Sequence, residues 1–97
     1  MVKHIVTFKL KGTPQERLSC CQDFKAALLA LPDEVPVLRS IEVGINQNPA
    51  EDWDIALVAT VDTMADVQAY SSHPAHVAAA AIISELKAER ACVDFEC

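Results

Sequence analysis

The residues with the widest chemical repertoire in this chain fall in one short run, Tyr70-Ser71-Ser72-His73-Pro74-Ala75-His76. Imidazole exchanges a proton near neutral pH and a phenol can donate to a carbonyl or enolate oxygen, so a tyrosine and a histidine facing one space form an acid–base pair. Pro74 suits the first position of a helix, with His73 at the cap before it. In a helix starting there, His76 shares a face with Ala79, Ala80, Ile83 and Leu86 and points inward. The positive end of the helix dipole in that first turn favours neutral imidazole, the form that accepts a proton. Tyr70, on the inner side of the preceding short helix, can bring its hydroxyl near His76. His73 is expected to organise the turn.

The segment Val77-Ala78-Ala79-Ala80-Ala81 is small where a packed helix more often carries Leu or Ile. Such residues either leave room for a small apolar ligand or allow close packing of helix on sheet, and residue type does not choose between the two. His4 lies between apolar neighbours and faces the same region, as a cleft residue or as a core histidine bonded to a backbone carbonyl. The expected pocket is therefore lined by His4, Val6, Phe8, Ala79, Ala80 and Ile83, beside Tyr70 and His76 as catalytic candidates. No metal is expected. His73 and His76 have a His-x-x-His spacing and His4 offers a third nitrogen, but the start at Pro74 turns His73 away, and no carboxylate or thiolate at an ordinary spacing completes a site. Asp54 and Asp94 are assigned to strand faces turned away from the cleft, where Lys3 and Lys9 can pair with them.

These residues need a scaffold, and the pattern supplies one. Residues 2–10 alternate, with Val2, His4, Val6, Phe8 and Leu10 on one face, which is a half-buried strand. Thr13, Pro14 and Glu16 form a capping box with proline at the first helical position. Leu18, Cys21, Phe24, Leu28 and Leu31 then recur at helical spacing until Pro32 and Pro36 end the run. Residues 37–45 read as a second strand with Val37, Ile41, Val43 and Ile45 on one face, and Trp53 to Val61 as a third. Thr63 and Asp66 start a short helix whose inner side would carry Met64, Val67 and Tyr70. The helix from Pro74 is expected to run to about Arg90, with a closing strand at 92–96.

Strand, helix, strand, strand, helix, strand is the split βαβ, or ferredoxin-like, α+β arrangement: a four-stranded antiparallel sheet with helices on one face. The other face would carry Ile5, Thr7, Ala56, Val58, Thr60 and Cys92 with Lys3, Lys9, Ser40, Glu42 and Asp94. A face so poor in charge at its centre suits a second copy of the chain, because twofold dimers are the commonest oligomers.

At 97 residues one domain, 1–97, accounts for the chain. A hydrophobic content of 52% excludes disorder. The net charge of -6, with no basic cluster beyond Lys3, Lys9 and Lys11, argues against nucleic acid or an anionic membrane as partner. No apolar run is long enough to span a membrane and the N-terminus alternates, so a cytoplasmic protein is expected. Cys20, Cys21, Cys92 and Cys97 lack paired C-x-x-C spacing and read as packing residues.

Taken together, Val2-Lys3-His4-Ile5-Val6-Thr7-Phe8-Lys9, Ile41-Glu42-Val43-Gly44 with Asn46, Asp54-Ile55-Ala56-Leu57-Val58, the Tyr70-to-His76 run and Val93-Asp94-Phe95 make nearly the whole chain resemble the stress-responsive A/B barrel domain family of the dimeric α+β barrel superfamily. The resemblance implies two sheets, one per subunit, closing into a barrel, with a small cleft in each subunit between sheet and helices. Some relatives are polyketide cyclases using a histidine and a tyrosine, positions matched here by His76 and Tyr70; others are stress-associated proteins without established chemistry. The expectation is a homodimer with a cofactor-free, lyase- or cyclase-like activity on a small carbonyl compound. The alternative is a non-catalytic dimeric protein that responds to stress or binds a small ligand.

Overall fold

A computed structural model describes all 97 residues. The first strand, β1 (Val2–Leu10), buries Val2, His4, Val6, Phe8 and Leu10 and half-exposes the residues between them, as strict alternation requires of a sheet covered on one side. Gly12, at a φ of 115°, makes the turn that follows, in a region where a side chain would be strained. The Thr13 hydroxyl then accepts from the Glu16 N–H while the Glu16 carboxylate accepts from the Thr13 N–H, starting α1 (Pro14–Leu29).

Helix α1 buries Cys21, Phe24 and Leu28 against the sheet, with Phe24 meeting Phe8 edge to face at 5.6 Å between centroids. Leu18 belongs to the same periodic set but is 48% exposed. Leu31 is buried, yet it lies in a short 3-10 turn, Leu31–Asp33, and not in the helix. The connection beyond it adds Val35 and Leu38 to the core. The second strand, β2 (Ser40–Ile45), starts three residues later than the pattern suggests, and β3 (Ile55–Val61) two residues later.

After β3, the Thr63 hydroxyl accepts from the Asp66 N–H to open α2 (Met64–Ser72), which buries Val67 and Tyr70. Met64, expected on that inner side, is 53% exposed at the first helical position. His73 ends α2 and begins α3 (Pro74–Ala81), its Nδ1 accepting from the Ala75 N–H at 3.0 Å. Here the helical reading to Arg90 fails. The chain leaves α3 at Ala81, turns through Ile82–Leu86 and enters a long fourth strand, β4 (Lys87–Glu96).

All pairings are antiparallel, in the order β2-β3-β1-β4, with the helices on one face. The fold is ferredoxin-like α+β, its crossover after β3 broken into two helices at His73. No helix is long and apolar enough to cross a membrane.

Register corrects one expectation that matters for the site. Directly paired residues in an antiparallel ladder share a face. His4 pairs with Asp94 and Val6 with Cys92, so Asp94 and Cys92 point to the helix side and not to the open face. The residues of β4 that reach the open face include Val93, opposite Ile5, and Phe95, opposite Lys3, which are 60% and 43% exposed, and Ala91 and Glu89, opposite Thr7 and Lys9.

Candidate functional site

Between the sheet and α3 lies a pocket of about 180 Å³. His4, Val6 and Phe8 of β1 and His76, Ala80 and Ile83 from the α3 region line it. Phe24, Leu57 and Ser71 complete the wall, with Lys87 and Arg90 of β4 at the margin. Ala79 is not part of the lining; it is the buried residue of α3 itself. Tyr70 is not part of it either. It is fully buried one layer deeper, its ring edge-on to both histidines, 4.6 Å from the His76 centroid and 5.8 Å from that of His4.

The electrostatics of these groups follow from burial. Desolvation pushes the Tyr70 phenol up to about 12, so the hydroxyl keeps its proton and can act only as a donor or a neutral acceptor at physiological pH. Desolvation draws His76 below the usual imidazole value, opposed by the Ser71 backbone and reinforced by the charges of His4 and Arg90. His76 is therefore the neutral base at neutral pH. The Tyr70 hydroxyl and the His76 Nδ1 are both buried and neither has a hydrogen-bond partner. Orphaned polar atoms of this kind are rare and cost about 1–3 kcal/mol each.

The opposite wall holds a group that sequence reasoning missed. The Nδ1–H of His4 donates to the Asp94 carboxylate at 2.5 Å, fixing the imidazole through a carboxylate that was assigned to the other face of the sheet. Only the register of β4 on β1 could have revealed it. Asp54, also assigned to that face, lies instead at the head of β3, where it accepts from the Leu10 N–H at 2.7 Å and pairs with Arg17 at 3.2 Å, tying β1 to α1.

Cys92 joins the His4–Asp94 pair, with Sγ 3.5 Å from His4 Nδ1 and 3.7 Å from Asp94 Oδ1. The nitrogen, sulfur and oxygen all lie within 4.8 Å of one another, a donor set that zinc accepts. A tetrahedral zinc with bonds of about 2.0–2.3 Å keeps its ligand atoms roughly 3.4–3.6 Å apart. The sulfur–nitrogen edge falls in that range, the sulfur–oxygen edge of 3.7 Å lies just beyond it, and the nitrogen–oxygen edge is too short for it. Burial and the Asp94 carboxylate also push the Cys92 thiol up, away from the thiolate that a metal needs.

A ferredoxin-like chain with a pocket between sheet and helices, walled by two histidines, is one of a recognisable class of small α+β proteins. The chain belongs to the stress responsive A/B barrel domain family, whose model matches residues 2–97. It is similar to a dimeric protein of unknown function with a ferredoxin-like fold from Bacteroides fragilis, at 50% identity over 98% of this chain and 94% of that one, with a TM-score of 0.95. A dimeric ferredoxin-like protein of unknown function from Thermobifida fusca is 33% identical over 97% and 88% of the two chains, with a TM-score of 0.78. The hydroxynitrile lyase of Passiflora edulis shares the fold at 18% identity, covering 97% and 90%, with a TM-score of 0.73. No curated protein matches the chain in sequence.

Proposed function

We propose that the chain is a homodimer in which each subunit's pocket acts on a small carbonyl compound by acid–base chemistry of the lyase or cyclase kind, using its own side chains. The observation that carries this reading is the pair of orphaned buried atoms, the Tyr70 hydroxyl and the His76 Nδ1, on rings 4.6 Å apart. His76, neutral because it is desolvated, takes a proton from the carbon next to the carbonyl. Tyr70, behind the pocket wall with its ring edge-on to His76, keeps its proton because burial pushes its phenol up to about 12, and it acts by holding the base in place. The His76 imidazolium then returns its proton to the product or to the group that leaves. The His4–Asp94 pair holds the facing wall in one orientation.

The dimer is proposed to form through the open face of the sheet. Ile5, Val58, Ala56, Ala91 and Val93 form its apolar centre, with Phe95 beside them and Lys3, Lys9, Glu42 and Glu89 around the margin. Exposed apolar surface rimmed by charge is the usual mark of an interface. The Bacteroides fragilis and Thermobifida fusca relatives, both dimeric, support this assignment.

A second reading, a non-catalytic dimeric protein that binds a small ligand, is favoured by the position of Tyr70 behind the pocket wall. Exchange of the α-hydrogens of small aryl ketones in D2O, followed by NMR, separates the two. Wild-type protein is expected to accelerate the exchange and His76→Ala to abolish the acceleration. Equal rates with the two proteins for every ketone would leave the binding reading.

A further inference from the structure

Lys87 and Arg90 are three residues apart on β4, a spacing that on a regular strand puts side chains on opposite faces. In this protein they face the same way. The ladder between β4 and β1 shifts register between Lys9 and Leu10, so that Glu89 pairs with Lys9 and Arg90 with Phe8, while Lys87 pairs with Leu10. Ala88 is the residue the shift leaves over, and both cations turn to the helix side at the margin of the pocket. Irregularities of this kind re-aim side chains beside functional sites.

The charge pattern around them is selective. The chain carries 14 carboxylate residues against 8 Lys and Arg, yet no Asp or Glu lines this pocket and two cations do. Lys9, Arg17 and Arg39 each pair with a carboxylate of the protein; Lys87 and Arg90 pair with none, as do Lys3, Lys11 and Lys25, but only Lys87 and Arg90 of these five line the pocket. Arg90 is also close enough to His76 to hold its pKa down, which places the guanidinium within electrostatic reach of the base. Beyond the cations the pocket is apolar, with Val6, Phe8, Phe24 and Ile83 around a volume of about 180 Å³. A dry cavity of about 150 Å³ suffices for benzene.

Resting on the reading of this pocket as the functional site, we infer that its ligand is an anion: a carboxylate on a body the size of one aromatic ring, clamped by Arg90 and Lys87 at the mouth with its uncharged part beside His76. The planar guanidinium matches both carboxylate oxygens, and Lys87 adds a point charge. The expected ligand is therefore amphiphilic and not simply apolar.

Calorimetric titration with sodium benzoate and its neutral counterpart benzamide tests this, with His76 ring resonances followed in parallel. Benzoate is expected to bind at least about tenfold more tightly than benzamide and to move the His76 signals; Arg90→Gln should lose about tenfold of the benzoate affinity and Arg90→Lys less, the range expected of one charged hydrogen bond. Arg90→Gln with Lys87→Gln should bring benzoate down to the level of benzamide. Both positions are exposed, so these variants should fold. Equal affinity for the two probes, no benzoate binding, or benzoate binding unchanged in the double variant overturns the inference. Ketone exchange by the wild-type protein reads out separately. If it persists while benzoate shows no preference, only the anion clamp falls; if it is absent while benzoate binds as expected, the catalytic reading falls and the anion pocket stands.

Discussion

A tyrosine hydroxyl sealed in a core without a partner costs stability, and the sign of that cost makes it testable. Removing the oxygen at Tyr70 deletes an unsatisfied group, so Tyr70→Phe should leave the stability to urea unchanged or raise it by about 1 kcal/mol. A hydroxyl bonded within the core would give the opposite, a loss of about 1 kcal/mol. His76 makes a second prediction. Its folded-state pKa lies below the 6.5 of a free imidazole, so on acidification the unfolded chain binds a proton before the folded one does. The contribution is therefore absent at higher pH and destabilising once the pH falls below 6.5, levelling off below the folded pKa. Chemical denaturation across that range should show His76→Asn losing less stability on acidification than wild type. The positions of Tyr70 and His76 were legible because helix starts are written locally, in Thr63 and Pro74. Asp94 was not, because its partner is 90 residues away and only the strand register joins them.

Local chemistry specifies the front half of the fold well. The capping box at Thr13 is complete, so Thr13→Ala should cost about 1 kcal/mol in urea denaturation without altering the pocket. The back half is decided by pairing. Lys87-Ala88-Glu89-Arg90-Ala91 consists of good helix formers, which is why α3 seemed to continue, yet these residues form a strand. Thr7 to Leu10 would otherwise present an unpaired edge, and the ladder to β4 satisfies it. The faces of β4 were inverted for a related reason. Val93 and Phe95 look like core residues by type, but they occupy the open side. Apolar alternation tells which residues share a face and does not tell whether that face meets the chain's own helices or a second copy.

For the whole molecule, that exposed apolar surface is the reason to expect two chains. Val93, on the edge strand β4, lies beside Ile5, which Val58 flanks on the other side, so Val93→Lys places a charge where the partner sheet would pack. Sedimentation equilibrium should give twice the chain mass for wild type and approach the single-chain mass for the variant; an unchanged dimer would move the interface elsewhere. The pocket lies on the other side of the sheet, and its chemistry depends on one base. The most direct measurement is the pH profile of α-deuterium exchange in a small aryl ketone with wild-type protein and His76→Ala. An acid limb with its midpoint below 6.5, present in wild type and absent in the variant, is the predicted result. Rates that coincide for the two proteins at every pH would contradict it.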